Sequence, residues 1–223
     1  MSRSTPIKPF EEALAFIKEV IIKTYTSSTD NTFKINELIK NEHGKISSLI
    51  EAFETKHEDY SGFDHYFDEL ETVLKIDNRL LITTFIYTTS EFEYILKKIC
   101  DTCHIATNQL IKVADLSGEG IKRYKKYLEL IYYVNFENIN SLWESIQNYY
   151  YVRNKLIHQL GFISETEMKE FKNKTKNLKV KIDSNNNVVI NKDFLTIYVT
   201  NTKEFLFHII DQLRIMNKPG ALS

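Results

Sequence analysis

The sequence predicts an all-α fold, and two observations lead to that prediction. The chain of 223 residues contains only 6 Gly and 3 Pro, which leaves few positions for tight turns and favours long elements over many short strands. Apolar residues recur at helical spacing along most of the chain. Because 43% of the residues are hydrophobic, a chain of this length can bury a large core without disulfides or a structural metal.

Three helices are predicted before residue 77. Apolar positions such as Ile17 and Ile21 repeat every three or four residues, as on the buried face of a helix. The same pattern recurs twice more, and the predicted helices are Phe10–Thr24, about Ile35–Glu58 and Phe63–Ile76.

Capping residues and glycines divide the rest of the chain. The first predicted elements are a helix from Asp77 or Asn78 to about Cys103, a loop at Ser117–Gly120 and a helix over Ile121–Val134. A further helix, Ser141–Leu160, is capped by Asn138 or Asn140, and Gly161 ends it in a left-handed conformation. A small β-hairpin of Val180–Ile182 and Val188–Ile190 follows, and then a last helix from Asp193 or Thr202 to about Met216. The stretch between Gly161 and the hairpin is predicted only to be polar and rich in lysine.

The formal net charge of −1 conceals two opposite charges. Residues 1–111 carry 12 basic and 18 acidic side chains, whereas residues 112–223 carry 17 and 12. Six lysines and a single acidic residue lie between Lys169 and Lys181, where a polyanion would be attracted. An ordinary solvated surface loop fits this run of lysines equally well.

We expect a cytoplasmic protein without a membrane partner. The first nine residues are polar and contain two prolines, unlike a signal peptide. The longest apolar stretch, Leu80–Tyr87, is far shorter than the roughly 20 residues that span a membrane. Two cysteines without an export signal fit a reducing compartment.

The segment Cys100–His104 matches the C-x-x-C-H pattern of covalent haem attachment. Such attachment belongs to exported proteins, a zinc site needs two further ligands, and a thioredoxin-type motif needs a βαβ context. We therefore expect two reduced thiols at a helix end, with no metal and no cofactor. Glycine-rich phosphate loops, serine-hydrolase elbows and HExxH patterns are also absent from the sequence.

The chemistry of this chain is expected in the segment from Tyr151 to Gly161. Arg153 lies within or beside the predicted core face, where a guanidinium is costly unless it is paired or faces a cleft. His158 shares a face with Asn154, and about 140° separates it from Arg153 around the helix. The predicted core face consists of Leu142, Ile146, Tyr149, Leu156 and Leu160.

These side chains suit the cleavage of RNA without a metal ion. His158 can exchange a proton with a ribose hydroxyl or a leaving oxygen, and Arg153 can stabilise the charge of a pentavalent phosphate. Asn154 can orient the histidine or bind a phosphate oxygen. One helix supplies one histidine where the reaction needs an acid and a base, so the mechanism predicts a two-fold homodimer. A structural role also fits, with His158 on the helix dipole and Arg153 paired to a carboxylate.

The motif Arg153-Asn154-x-x-x-His158, at the end of a long helix, resembles the signature of the HEPN superfamily. The helix that contains Thr88–Ile99 looks like the early core helix of standalone members, in several of which an acidic residue supports the Arg and His. Glu93 is the first choice for that residue and Glu91 the second. The resemblance covers about Asn78 to Met216, and it includes the hairpin and the last helix.

The resemblance implies a HEPN-like helical bundle at 77–217, packed as one unit with an N-terminal helical extension at 1–76. It implies a metal-independent endoribonuclease that leaves 2′,3′-cyclic phosphate ends on single-stranded RNA or tRNA. Such proteins act as toxins or antiviral effectors, often with an antitoxin or a second defence protein. The alternative is an inactive HEPN-like module that binds a protein, a nucleotide or RNA. The expected substrate-binding residues are Lys155, Lys169, Lys172, Lys174 and Lys176.

Overall fold

A computed structural model describes residues 7–54 and 63–216. The described residues form the predicted all-α fold with one small hairpin of two strands. The elements are α1 (Ile7–Glu54), α2 (Phe63–Thr107), α3 (Gly120–Tyr132), α4 (Asn140–His158), α5 (Glu165–Thr175), β1 (Lys181–Ile182), β2 (Val188–Val189) and α6 (Lys192–Met216), with short 3-10 helices at Val113–Asp115 and Glu137–Ile139. None of these helices contains a stretch long and apolar enough to cross a membrane.

The helices α1 and α2 each join two helices that the sequence predicted as separate. The predicted cap Asn78 lies inside α2, where its side-chain oxygen accepts a hydrogen bond from the backbone N–H of Ile190 at 3.2 Å. The break is absent because α2 contains neither Gly nor Pro, the residues that interrupt helices most strongly. Positions 55–58 of the second predicted helix lie outside the described residues.

The helix α5 was not predicted, although its start carries a recognisable signal. Ser164 and Glu167 form a capping box, in which Glu167 Oε2 accepts hydrogen bonds from the backbone N–H and the hydroxyl of Ser164 at 3.4 and 2.9 Å. Phe171 and Thr175 bury one face of the helix. The lysine-rich stretch is therefore partly helical, with its cations on the exposed face.

The chain turns sharply after α4. Leu160 and Gly161 both adopt left-handed conformations, with φ of 52° and 85°, so the predicted role of Gly161 is confirmed. The prediction that Leu160 belongs to the core face is wrong, because its side chain is 90% exposed. The helix ends at His158, and helical periodicity no longer governs the direction of a side chain two residues later.

The β-hairpin is attached to this turn by backbone hydrogen bonds. The N–H of Val188 donates to Gly161 at 2.9 Å, and the N–H of Ile163 donates to Asn186 at 2.9 Å. Asp183 closes the hairpin turn by accepting hydrogen bonds from two backbone N–H groups further along the loop. The hairpin therefore has a fixed position against the end of α4.

The described contacts divide the chain into two compact units. Among the described residues, the first unit comprises 7–26, 88–150 and 198–216, and the second comprises 27–54, 63–87 and 151–197. The helix α2 is continuous through positions 76 and 77, where the sequence predicted a boundary between the extension and the HEPN-like domain. That division of the chain stays a prediction.

Aromatic side chains fill the cores of both units. In the first unit, the ring of Phe205 lies 6.0 Å from that of Phe92, 5.6 Å from Phe136 and 5.3 Å from Trp143. In the second unit, Phe85 packs edge to face on Phe194 at 4.9 Å. Such pairs contribute beyond the apolar area that they bury.

Candidate functional site

The last two turns of α4 carry Arg153, Asn154 and His158 in the second unit. Arg153 is half-buried, whereas Asn154 and His158 are exposed. Arg153 Nη1 donates a hydrogen bond to Asn154 Oδ1 at 3.2 Å. The motif residues Arg153 and Asn154 therefore touch, and the amide orients the guanidinium of its neighbour.

The guanidinium of Arg153 retains unused hydrogen-bonding capacity. Its Nε is buried and has no hydrogen-bond partner among the described residues. Within the described part of the second unit, no carboxylate forms an ion pair with Arg153. The structural role predicted as an alternative, in which a carboxylate neutralises this side chain, therefore lacks a partner within this unit. A half-buried guanidinium without a carboxylate partner among the described residues of its unit is suited to bind an external anion.

His158 lies in the last turn of α4 and is exposed to solvent. Its imidazole makes no hydrogen bond with the described residues. The exposed side chains Leu160 and Phe162 follow directly after it, with 90% and 49% of their surface accessible.

A polar cluster braces α4 against α5 beside this motif. Glu167 accepts hydrogen bonds from the ammonium group of Lys155 and from the amide of Gln159 at 3.2 Å. Lys155 is one of the residues predicted to bind substrate. Glu167 was not predicted, although the Ser164-x-x-Glu167 pattern in the sequence is typical of a capping box. The positive charge of Lys155 is therefore paired with Glu167 within the fold.

These contacts lower the pKa of Glu167 from 4.5 to about 2, with the hydrogen bond from Lys155 as the largest cause, followed by those from Gln159 and Ser164. The ionised carboxylate therefore stabilises the fold above pH 4.5, and this contribution is lost as the pH falls from 4.5 toward 2.

Replacing Glu167 with glutamine tests whether the stability of the fold depends on the ionisation of this carboxylate. The variant keeps a side-chain acceptor for the capping box but loses the charge. We expect a lower melting temperature than wild type at pH 7 and a difference that shrinks between pH 4.5 and pH 2. Thermal denaturation followed by circular dichroism across this range measures the difference. Glu165→Gln, at an exposed position two residues earlier in the same helix, is the matched control, and an equal pH dependence in both variants would contradict the assignment.

Tyr151 lies on the same helix as Arg153, and cations flank its ring. The ammonium groups of Lys174 and Lys155 lie 4.2 and 5.5 Å from the ring centroid, and the ring of Phe171 lies 6.1 Å away. The hydroxyl of Tyr151 is buried without a hydrogen-bond partner among the described residues. Burial is the main cause of a raised Tyr151 pKa.

The five lysines predicted to bind substrate fall into two groups. Lys155 pairs with Glu167, and Lys174 pairs with Glu170 at 2.7 Å. The other three are exposed and make no ion pair with the described residues; they are Lys169, Lys172 and Lys176. Their charges are the ones left for a polyanion.

The carboxylates predicted to support the motif belong to the first unit, on α2. Both Glu93 and Glu91 are half-buried. Glu93 Oε1 lies 3.4 Å from the point where a side-chain carbon would begin at Gly120, so a larger residue there would press on this carboxylate. The role of Glu93 toward Arg153 and His158 stays a prediction.

The cysteines of the C-x-x-C-H segment are buried, free thiols in the first unit. Burial raises the pKa of Cys103 to about 12 and that of Cys100 above its ordinary range, so both stay protonated and are poor nucleophiles and metal ligands. His104 Nδ1 lies 3.3 Å from the hydroxyl of Tyr127. Among the described residues, no group of three or more His, Cys, Asp and Glu side chains is arranged to hold a metal ion.

Comparison of the chain with protein-family models, with curated proteins and with solved structures finds no match.

Proposed function

We propose that this protein is a metal-independent endoribonuclease of HEPN type that acts as a toxin or an antiviral effector. The observation that carries the proposal is the state of Arg153. Its guanidinium is half-buried, has an unused Nε and lacks a carboxylate partner in its unit, and it shares the last turns of α4 with an exposed His158. Arg153 supplies a donor for the phosphate, and the exposed imidazole of His158 supplies one of the two proton-transfer groups that phosphodiester cleavage uses.

The proposed reaction uses two copies of His158. One takes the proton of the ribose 2′-hydroxyl while the 2′-oxygen forms a bond to phosphorus. The bond from phosphorus to the 5′-oxygen then breaks, and the second protomer's His158 gives its proton to that oxygen. Arg153 donates to the phosphate oxygens, where negative charge builds in the transition state. The products are a 2′,3′-cyclic phosphate and a 5′-hydroxyl.

Two copies of the chain are part of the proposal, because each α4 provides one histidine. The exposed apolar side chains of Leu160 and Phe162 directly after the motif support a contact between protomers at this end of α4. An antitoxin or a second defence protein would restrain the activity in the cell.

The test is a cleavage assay on total RNA and tRNA in the presence of EDTA. We expect the purified protein to cut single-stranded regions under these conditions and to leave 2′,3′-cyclic phosphate ends. Such ends cannot be ligated until a phosphatase active on cyclic phosphates removes the phosphate group. Cleavage only after addition of a divalent cation, or ends carrying a 5′-phosphate, would contradict the mechanism.

A second candidate function is an inactive HEPN-like module that binds a nucleotide, RNA or a protein. A cavity of about 480 Å³ in the first unit favours this alternative. Its lining includes three cations suited to a phosphate beside one carboxylate, that of Asp101; the cations are Lys97, Lys112 and Arg123. The same assay separates the two functions. Absence of turnover on every RNA, combined with binding of a nucleotide, would favour the module.

A further inference from the structure

A cavity of about 490 Å³ lies in the second unit between α5 and the β-hairpin. Its apolar walls include Phe171, Leu178 and Ile182, of which the first two are buried. The volume falls within the roughly 300–1,000 Å³ that is usual for sites of small organic ligands. The cavity therefore has room for one heterocyclic base, and the partly exposed apolar side chains of its lining are those of Met168, Val180 and Ile182.

Lys172 of α5 and Lys176, the residue that caps the end of this helix, also line this cavity. Lys172 and Lys176 lie four residues apart and hence on one face of the helix, and both lack an ion pair among the described residues. The carboxylate of Asp183 lines the cavity as well, but its Oδ1 accepts two backbone hydrogen bonds of the hairpin turn at 2.8 Å. An apolar floor with a positive rim matches a flat base attached to a phosphate.

Asn186 adds a polar group at the hairpin side of the cavity. Its side chain is half-buried, lines the cavity and makes no hydrogen bond with the described residues. The backbone holds it in place with φ of 62° and with hydrogen bonds to Asp183 at 3.1 Å and from Ile163 at 2.9 Å. A carboxamide offers one donor and one acceptor to the edge of an unpaired base.

Phe171 connects this cavity with the helix that carries the motif. Its ring forms a wall of the cavity and also packs on Tyr151, two residues before Arg153. We propose that the cavity binds one unpaired nucleotide of the RNA substrate, with the base over the apolar floor, Asn186 on the edge of the base and the phosphate at Lys172 and Lys176. This inference rests on the proposed function, because it makes the cavity a subsite of the ribonuclease.

Binding of RNA that cannot be cleaved tests the subsite independently of catalysis. The probes are four fluorescent 2′-O-methyl 12-mers, one for each base, titrated with the full chain in EDTA at several salt concentrations. We expect wild type to prefer one base. Lys172→Ala and Lys176→Ala are expected to weaken binding of all four probes and to lower the salt slope by about 0.7 each. Lys179→Ala is the matched control, since that lysine pairs with Asp193 at 3.1 Å.

Asn186→Gly tests the recognition of the base. Glycine tolerates the positive φ of this position, so the turn is expected to persist while the carboxamide is lost. We expect the preference among the four probes to fall by about threefold or more, with little change for the weakest probe. Asn185→Gly, on the exposed side of the same turn, is expected to leave the preference unchanged.

Val180→Phe fills the cavity without changing a charge, since Val180 also lines it. We expect a loss of affinity of about tenfold, in the range attributed to stacking of one base. Val189→Phe places the same ring on β2, outside the lining, and serves as its control. Thermal denaturation confirms that each variant is folded.

The outcomes separate this inference from the proposed function. Equal binding of all four probes by wild type, Asn186→Gly and Val180→Phe overturns the subsite, even where RNA cleavage in EDTA is observed. A smaller preference among the probes for Asn186→Gly, together with weaker binding by Val180→Phe, supports the subsite. If wild type nevertheless cleaves no RNA, only the ribonuclease proposal fails.

Discussion

Replacing His158 with alanine is expected to reduce RNA cleavage in EDTA by about 100- to 10,000-fold, the usual contribution of general acid–base catalysis. The side chain is exposed at the end of α4 and makes no hydrogen bond with the described residues, so its removal should leave the fold intact. Single-turnover cleavage of a fluorescent RNA measures the rate, and the melting temperature checks the fold.

Arg153→Ala is expected to lower cleavage by about 100-fold or more, because the transition state loses its main donor of hydrogen bonds. Asn154, which now accepts a hydrogen bond from Arg153, would be freed at the same time. His43→Ala is the matched control for the histidine variant. It removes an imidazole from α1 whose one hydrogen bond with the described residues joins His43 Nδ1 to the hydroxyl of Ser47 at 3.4 Å. Persistent cleavage by His158→Ala at the wild-type rate would exclude the proposed mechanism.

A mixing experiment tests whether two protomers share one site. In the proposed reaction, a dimer of wild type with His158→Ala holds a single histidine where an acid and a base are required. Excess His158→Ala protein is therefore expected to suppress the activity of the wild-type chains. Activity that simply scales with the amount of wild-type protein would show that each protomer works alone.

The largest effect on stability is expected from Phe205→Ala. The side chain is fully buried and its ring lies within 6.0 Å of the rings of Phe92, Phe136 and Trp143. Truncation of such a residue costs about 3–5 kcal/mol, which corresponds to a fall in Tm of about 6–20 °C for a chain of this size. Urea denaturation gives the free energy of unfolding directly.

Phe207→Ala provides the matched control for that prediction. Phe207 lies on the same helix, is half-buried, and has the ammonium groups of Lys18 and Lys203 at 5.1 and 5.7 Å from its ring centroid. Such contacts contribute about 1 kcal/mol or less. Similar losses of stability in the two variants would contradict the assignment of Phe205 to the core of the first unit.

The fold class and most elements could be predicted because hydrophobic periodicity and capping residues act locally. The small hairpin, the end of α6 at Met216 and the left-handed Gly161 are confirmed. Asn78 shows the limit of such signals. Asparagine favours helix caps, but α2 continues through Asn78, whose side chain instead accepts a hydrogen bond from the distant Ile190.

The candidate site was predicted in part for the same reason. Arg153, Asn154 and His158 lie on one continuous helix, so their spacing alone brings them near one another. The pairing of Lys155 with Glu167 joins two helices, and the lining of the cavity joins a helix to a hairpin. Contacts of this kind depend on how elements pack, and periodicity carries no information about them.

The hydrogen bond between Asn78 and Ile190 spans 112 residues, and this separation has a consequence for synthesis of the chain. Ribosomes add about 5–20 residues each second, so the N-terminal part of the second unit waits about 6–22 s for its partner to emerge. The backbone hydrogen bonds that join the turn after α4 to Val188 and Asn186 also form only then. Until then, the nascent chain is expected to lack the backbone hydrogen bonds that hold the turn directly after His158.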